Sequence, residues 1–229
     1  DVDVYFLSSG WTYDISKEEC YIRKINNIFG NRCKSFEVVN SPIPAPQDML
    51  FGNPEIAFEN DMLKDVIREF IEKYGTFETI HFNNIEGLSL DVLDLKKEFS
   101  DTRFVFSLHN YFYFDRFAHK NCIPNCTADE CDKCIDRSKM RNYASEMIGR
   151  GRVNYSGELD KIKEYEWSDY FSFDKLNIKK NAEKFIEFKN RATQALNENM
   201  DVILAVSKRV YDIAIENNIL EKKLVLSYI

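Results

Sequence analysis

Apolar positions along the chain follow two rhythms. Short apolar runs that turn polar at their carboxyl ends read as buried parallel strands, and stretches with apolar residues three and four apart read as helices. The first run, Asp1 to Leu7, predicts a strand broken by Ser8-Ser9-Gly10. A helix is predicted from Ser16 to Phe29, because Ser16 with Glu19 has the capping-box form, Ile22, Ile25 and Phe29 share a face, and Gly30 ends the run. Phe36 to Val39 predicts a second strand. Pro42, Pro44, Pro46 and Pro54 then make Asn40 to Phe58 a long irregular loop.

Beyond that loop the two rhythms alternate. Met62, Leu63, Val66, Ile67, Phe70 and Ile71 form one stripe of a helix from Glu59 to Tyr74, closed by Gly75. Glu78 to Asn84 predicts a strand that turns polar at Asn83 and Asn84, and Ser89 to Phe99 a helix. Arg103 to Leu108 predicts a strand that ends in His109 and Asn110. A helix near Arg141 to Ile148 follows, then a long one from Leu176 to Asn199 with Ala182, Phe185, Ile186, Phe188, Ala192, Ala195 and Leu196 on its apolar side. The chain closes with a strand from Asp201 to Val206, a helix from Arg209 to Asn217 and a strand from Lys223 to Tyr228. Alternation of this kind describes an α/β fold with a Rossmann-like, doubly wound, mainly parallel sheet, whose ligand crevice collects the carboxyl ends of the strands.

Composition narrows the function classes. With 229 residues and 44% hydrophobic content the chain can bury a full core. Its net charge of -7 lacks the basic footprint of a nucleic-acid binder. No run approaches the ~20 apolar residues of a membrane span, and the amino terminus lacks the form of a secretory signal, so a cytoplasmic protein is expected. Neither a G-x-G-x-x-G nor a P-loop is present. A strand at the carboxyl end with nothing after it predicts a chain cut from a longer protein.

Four cysteines, Cys122, Cys126, Cys131 and Cys134, lie within thirteen residues. Thiolates at this density can close a tetrahedral zinc site, which would be structural because four protein ligands leave no open position. Disulfides and free thiols fit the spacing as well. Cys20 and Cys33 lie apart from the cluster and are expected to be buried small hydrophobes.

The candidate ligand residues fall at strand ends. His109 can hydrogen-bond a ligand at the strand end, and its ordinary pKa lets it act near neutral pH. Asn83 and Asn84 offer donors and acceptors without burying charge, while His81, inside the strand, reads as a satisfied core histidine. Gly10 permits a close backbone approach or a positive φ, Trp11 a stacking surface, and Ser207 a ligand contact or a helix cap, the cap being the commoner use.

The order of four segments resembles the amino-terminal, acceptor-side domain of family-4 (group 1) glycosyltransferases of GT-B architecture. The carriers are Ile80-His81-Phe82-Asn83-Asn84 with Gly87-Leu88-Ser89, Val105 to Tyr111 with its Ser107-Leu108-His109-Asn110 end, Met200 to Lys208, and Lys223 to Ile229. The segment around Cys122 to Cys134 is similar to the cysteine-bearing insertion of some members, here spanning about 112–172. Asn110 stands where the family has Asp, Asp115-Arg116 where it often has Cys-Pro, and the glycine-rich turn is reduced to Gly10.

The resemblance implies that residues 1–229 are one acceptor-side domain, inactive alone, with the donor-binding domain absent from this chain. It implies transfer of a sugar from a nucleotide-sugar donor in polysaccharide or glycoconjugate biosynthesis, with His109 as the catalytic residue and Gly10, Trp11, Asn83, Asn84, Asn110 and Ser207 on the substrate side. The acceptor would be a saccharide or a lipid-linked one reached by peripheral membrane contact. Two rivals are a nucleotide-sugar epimerase of the same architecture and a non-catalytic, zinc-stapled binding module.

Overall fold

The computed structural model describes residues 2–27, 30–43, 45, 54–75, 77–109 and 178–228. They build an α/β fold with two sheets on one continuous core. The first sheet has the order β1-β3-β2, from β1 (Val4–Thr12), β2 (Tyr21–Lys24) and β3 (Cys33–Val39). The second has the order β4-β5-β6-β7, from Thr79–Phe82, Arg103–Leu108, Val202–Ala205 and Leu224–Leu226, all parallel. The helices are α1 (Asp61–Tyr74), α2 (Ile178–Asn199) and α3 (Lys208–Glu216).

The first sheet departs from expectation in two ways. β1 does not break at Ser8-Ser9-Gly10 but continues to Thr12, pairing parallel to β3 with a register shift between Ser8 and Thr12. The helix expected from Ser16 to Phe29 is absent from the described part of that stretch; β2 stands there instead, antiparallel to β3 with Tyr21 opposite Val39. Local competition explains the change. The Ser16 hydroxyl donates to the Asp14 carboxylate (2.6 Å) instead of capping a helix, and the Tyr21 hydroxyl donates to the same carboxylate (2.8 Å). Asn40, with φ of 57°, then gathers the loop: its amide NH2 reaches the carbonyls of Asp14 (3.1 Å), Lys17 (2.7 Å) and Glu19 (3.2 Å), and its Oδ1 accepts from the Asp14 N–H (2.7 Å). Cys20 and Cys33 are buried as expected, and burial pushes the Cys20 thiol up to about 11.

The second half follows the apolar pattern closely. In α1, Asn60 caps the first turn by accepting from the Leu63 N–H (3.0 Å), and Leu63, Ile67, Phe70 and Ile71 are buried. Met62, placed on the same stripe by spacing, is exposed. The helix expected from Ser89 to Phe99 is a 3-10 helix, Leu90–Lys97, which buries Leu90, Val92, Leu93 and Leu95. α2 crosses this element and buries Phe188, Ala192 and Leu196, with Phe188 stacked on Phe58 at 6.1 Å. The stretch 111–177, with the helix expected near Arg141 to Ile148, lies outside the described residues.

Register sorts the second sheet into two faces. Phe82, Phe106, Ile203 and Leu224 lie abreast, and Phe104, Phe106 and Leu108 point into the core that α1, the 3-10 helix and α2 close. The opposite face carries His81, Val105 and Val202 abreast, with Ser107 beside Leu204 one pair further on. Asp201 pins the lower end: its Oδ2 accepts from the Phe104 N–H (2.7 Å) and the Lys96 ammonium (2.8 Å).

Candidate functional site

The carboxyl ends of the strands collect at one edge, as parallel pairing requires. There, Gly10 at the end of β1 and Gly87 in the loop after β4 cross backbone to backbone. Both have positive φ, 87° and 80°. A Cβ on Gly87 would lie 2.8 Å from Gly10 Cα, and one on Gly10 would lie 2.6 Å from Ala45 Cβ and 2.9 Å from Gly87 Cα. The space that the missing side chain of Gly10 opens is therefore filled by the chain itself. The Ser9 and Ser41 hydroxyls both donate to the Gly87 carbonyl, at 2.6 and 2.9 Å, and the Ala45 N–H donates to the Gly10 carbonyl at 3.1 Å. The ends of β1, β3 and β4 are thus joined by glycine contact and two serine hydroxyls.

The strand-end candidates stand around this crossing. Asn83 and Asn84 follow β4 and are exposed, and Asn84 Oδ1 accepts from the Glu86 N–H (3.2 Å), as in an Asx turn. His109 is exposed one residue past β5. Trp11 lies within β1. Ser207 caps α3 by accepting from the Val210 N–H (3.2 Å), the helix-capping use that its position after β6 suggested. Asn110 and the four cysteines Cys122, Cys126, Cys131 and Cys134 lie outside the described residues, and among the described residues no group of three or more His, Cys, Asp or Glu is placed to hold a metal ion.

His81 differs from expectation. It is exposed, not a core histidine, because it lies on the sheet face opposite the core helices. Its Nε2 shares a 2.8 Å hydrogen bond with the hydroxyl of Ser107, which is itself buried at 1% exposure. Partial desolvation of the ring, then the nearness of the His109 imidazole, lowers the His81 pKa below the usual histidine value. Spacing alone carried a trace of this arrangement: His81 and Asn83 on one strand, Ser107 and His109 on the next, each two residues apart and so each pair on one face.

Near the first turn of α1, Asp91 is buried at 6% exposure. Its Oδ2 accepts from the Asn60 N–H (3.2 Å), while its Oδ1 and the neighbouring Ser89 hydroxyl complete no hydrogen bond. Burial raises the Asp91 pKa, and the approach of Ser89, the Asn60 N–H and the Lys64 charge offset this only in part.

These features define an α/β protein with an all-parallel four-stranded sheet and a polar strand-end edge. No helix among the described residues is long and apolar enough to cross a membrane. No protein-family model matches the chain, and no curated protein or solved structure is significantly similar to it.

Proposed function

We propose that the chain is the acceptor-side, Rossmann-like domain of a two-domain GT-B glycosyltransferase, which moves a sugar from a nucleotide-sugar donor to a saccharide or lipid-linked acceptor. The observation that carries this reading is the single edge at which the parallel strands end, with Asn83, Asn84 and His109 exposed along it. Exposed neutral amides and an imidazole suit a polyhydroxylated ligand, since they both donate and accept hydrogen bonds without a buried charge. His109 acts on the reacting sugar or the leaving phosphate, and Asn83 and Asn84 orient hydroxyls. Most of the rate enhancement in such an enzyme comes from positioning and electrostatic stabilisation in a closed cleft.

In this reading the donor-binding half belongs to a separate domain, and zinc held by Cys122, Cys126, Cys131 and Cys134 orders the insertion that carries them. The test is saccharide binding by the 229-residue chain, followed by saturation-transfer NMR over a panel of mono- and oligosaccharides. Binding that is lost in His109→Ala and weakened in Asn83→Ala is expected. Tight binding of a free nucleotide by this chain with no saccharide response would overturn the reading. Release of nucleotide from a nucleotide-sugar without any acceptor, by the protein carrying both domains, would favour an epimerase.

A further inference from the structure

Asn83 and Asn84 stand between the end of β4 and a tight turn. In that turn the Leu88 N–H donates to the Ile85 carbonyl (2.9 Å), and Gly87 in its third position has φ of 80°, the form of a type II turn. Asn84 Oδ1 joins it by accepting from the Glu86 N–H (3.2 Å), and Ile85 anchors it in the core at 0% exposure. The turn is thus closed on itself. Its orientation is a separate matter, since β4 is short, Thr79–Phe82, and stands at the edge of its sheet beside β5 alone.

The first sheet supplies that orientation. The Gly87 carbonyl accepts two hydroxyls, from Ser9 in β1 at 2.6 Å and from Ser41 just past β3 at 2.9 Å. A carbonyl oxygen has two lone pairs, so two donors fix its direction and with it the peptide plane that follows Gly87. Ser41 is buried at 2% exposure, and its oxygen also accepts from the Ile43 N–H (3.3 Å), which ties it to the loop after β3. Its one proton has the Gly87 carbonyl nearer than that of Ile43, at 3.1 Å. Contact between Gly10 and Gly87 sets how closely the two segments approach, but a contact at one point leaves the turn free to pivot about it. The two hydroxyls remove that freedom.

We propose that Ser9 and Ser41 are positioning residues for the ligand edge. Through the Gly87 carbonyl they orient the turn and hold Asn83 and Asn84 where their amides meet the hydroxyls of a bound saccharide. Neither serine touches the ligand. The identity of that ligand rests on the sugar-transfer reading; the control of the turn rests on the serine geometry. The first sheet thereby sets affinity at the end of the second.

The experiment is amide hydrogen exchange by NMR on the whole chain, with Ser9→Ala and Ser9→Thr. Ser9 is the position to change because it is half-buried, whereas Ser41→Ala would leave the Ile43 N–H unpaired in the interior. Ser9→Ala should speed exchange at Glu86 and Leu88 roughly fivefold, while Phe104 in β5 exchanges as in the parent. Ser9→Thr keeps the hydroxyl and should restore the parent rates. Methyl β-glucoside and methyl β-galactoside, titrated against the Asn83 and Asn84 amide signals, should bind about fivefold more weakly to Ser9→Ala and unchanged to Ser9→Thr. The proposal is overturned if Glu86 and Leu88 exchange as slowly in Ser9→Ala as in the parent, if Ser9→Thr is as fast as Ser9→Ala, or if the turn loosens and a saccharide binds as tightly as before. A parent that responds to neither saccharide counts against the sugar-transfer reading, and the exchange rates then decide the proposal.

Discussion

Gly87→Ala tests whether the glycine crossing holds the two sheets together. A Cβ there would lie 2.8 Å from Gly10 Cα, Gly10 N and Ser9 C, all backbone atoms that no rotamer change can move. Ordinary contact begins near 3.4 Å, so the crossing would have to open by about 0.6 Å. Three costs then combine. An L-residue at φ of 80° costs about 1 kcal/mol. Overpacking costs about 1–3 kcal/mol. Stretching the Ser9 and Ser41 hydrogen bonds to the Gly87 carbonyl, now 2.6 and 2.9 Å, removes part of about 1 kcal/mol each. The expected loss is about 3–5 kcal/mol, which for a chain of this size lowers Tm by roughly 6–20 °C. Gly30→Ala supplies the control, since Gly30 also has positive φ (72°) but nothing within 4 Å of an added Cβ. It should cost about 1 kcal/mol, so the difference between the two variants measures the crowding and the hydrogen-bond loss that follows from it. Thermal unfolding followed by circular dichroism reads both. If the two variants melt within 2 °C of each other, on the order of 1 kcal/mol, the crossing is not the close contact described.

Asp91→Asn keeps an oxygen for the Asn60 N–H and offers an N–H to the Ser89 hydroxyl, satisfying two buried atoms that complete no hydrogen bond. Because the folded Asp91 pKa is raised, the native state binds its proton more tightly than the unfolded chain, and stability falls as pH climbs from the ordinary carboxylate value through the raised one. The variant should therefore gain about 1–2 kcal/mol at pH 7 and nothing near pH 3; a loss at neutral pH in denaturant titration would refute it. Asn40→Gly preserves the positive φ and removes the side chain, so amide exchange over residues 13–20 should accelerate at least tenfold while α1 is unaffected; unchanged exchange in that loop would show that Asn40 does not hold it. Protein purified under reducing conditions should carry about one zinc per chain, lost in a variant with Cys131 and Cys134 replaced by Ser; metal-free protein with all thiols titrating freely would remove the zinc reading.

Much of the second sheet was legible because its information is local. Arg103 to Leu108, built on the apolar run Phe104-Val105-Phe106, forms a strand with the bounds expected. The stripe of α1 and its Gly75 end lie within one window, and so does the apolar side of α2. What could not be read depends on distant partners. Ser16 and Glu19 look like a capping box until Asp14 takes the Ser16 hydroxyl and Asn40, over twenty residues away, takes the carbonyl of Glu19. Period-two spacing put His81 and Asn83 on one face but could not tell which face the helices cover, and hence His81 was read as buried. The need for glycine at positions 10 and 87 arises only when two chain segments separated by 77 residues touch, as the Ser9–Gly87 separation of 78 also indicates.

The bracket that Asn40 places on the loop between β1 and β2 works through main-chain carbonyls, two of them belonging to exposed residues, Lys17 and Glu19. A path written in carbonyl oxygens is indifferent to what the side chains are. Apart from Ser16, whose hydroxyl bonds Asp14, residues 15–19 can therefore exchange their side chains without altering the course of the backbone, beside the edge where the strands end. One asparagine just past the neighbouring strand β3 lets this loop diversify its surface while the sheet beneath keeps its register.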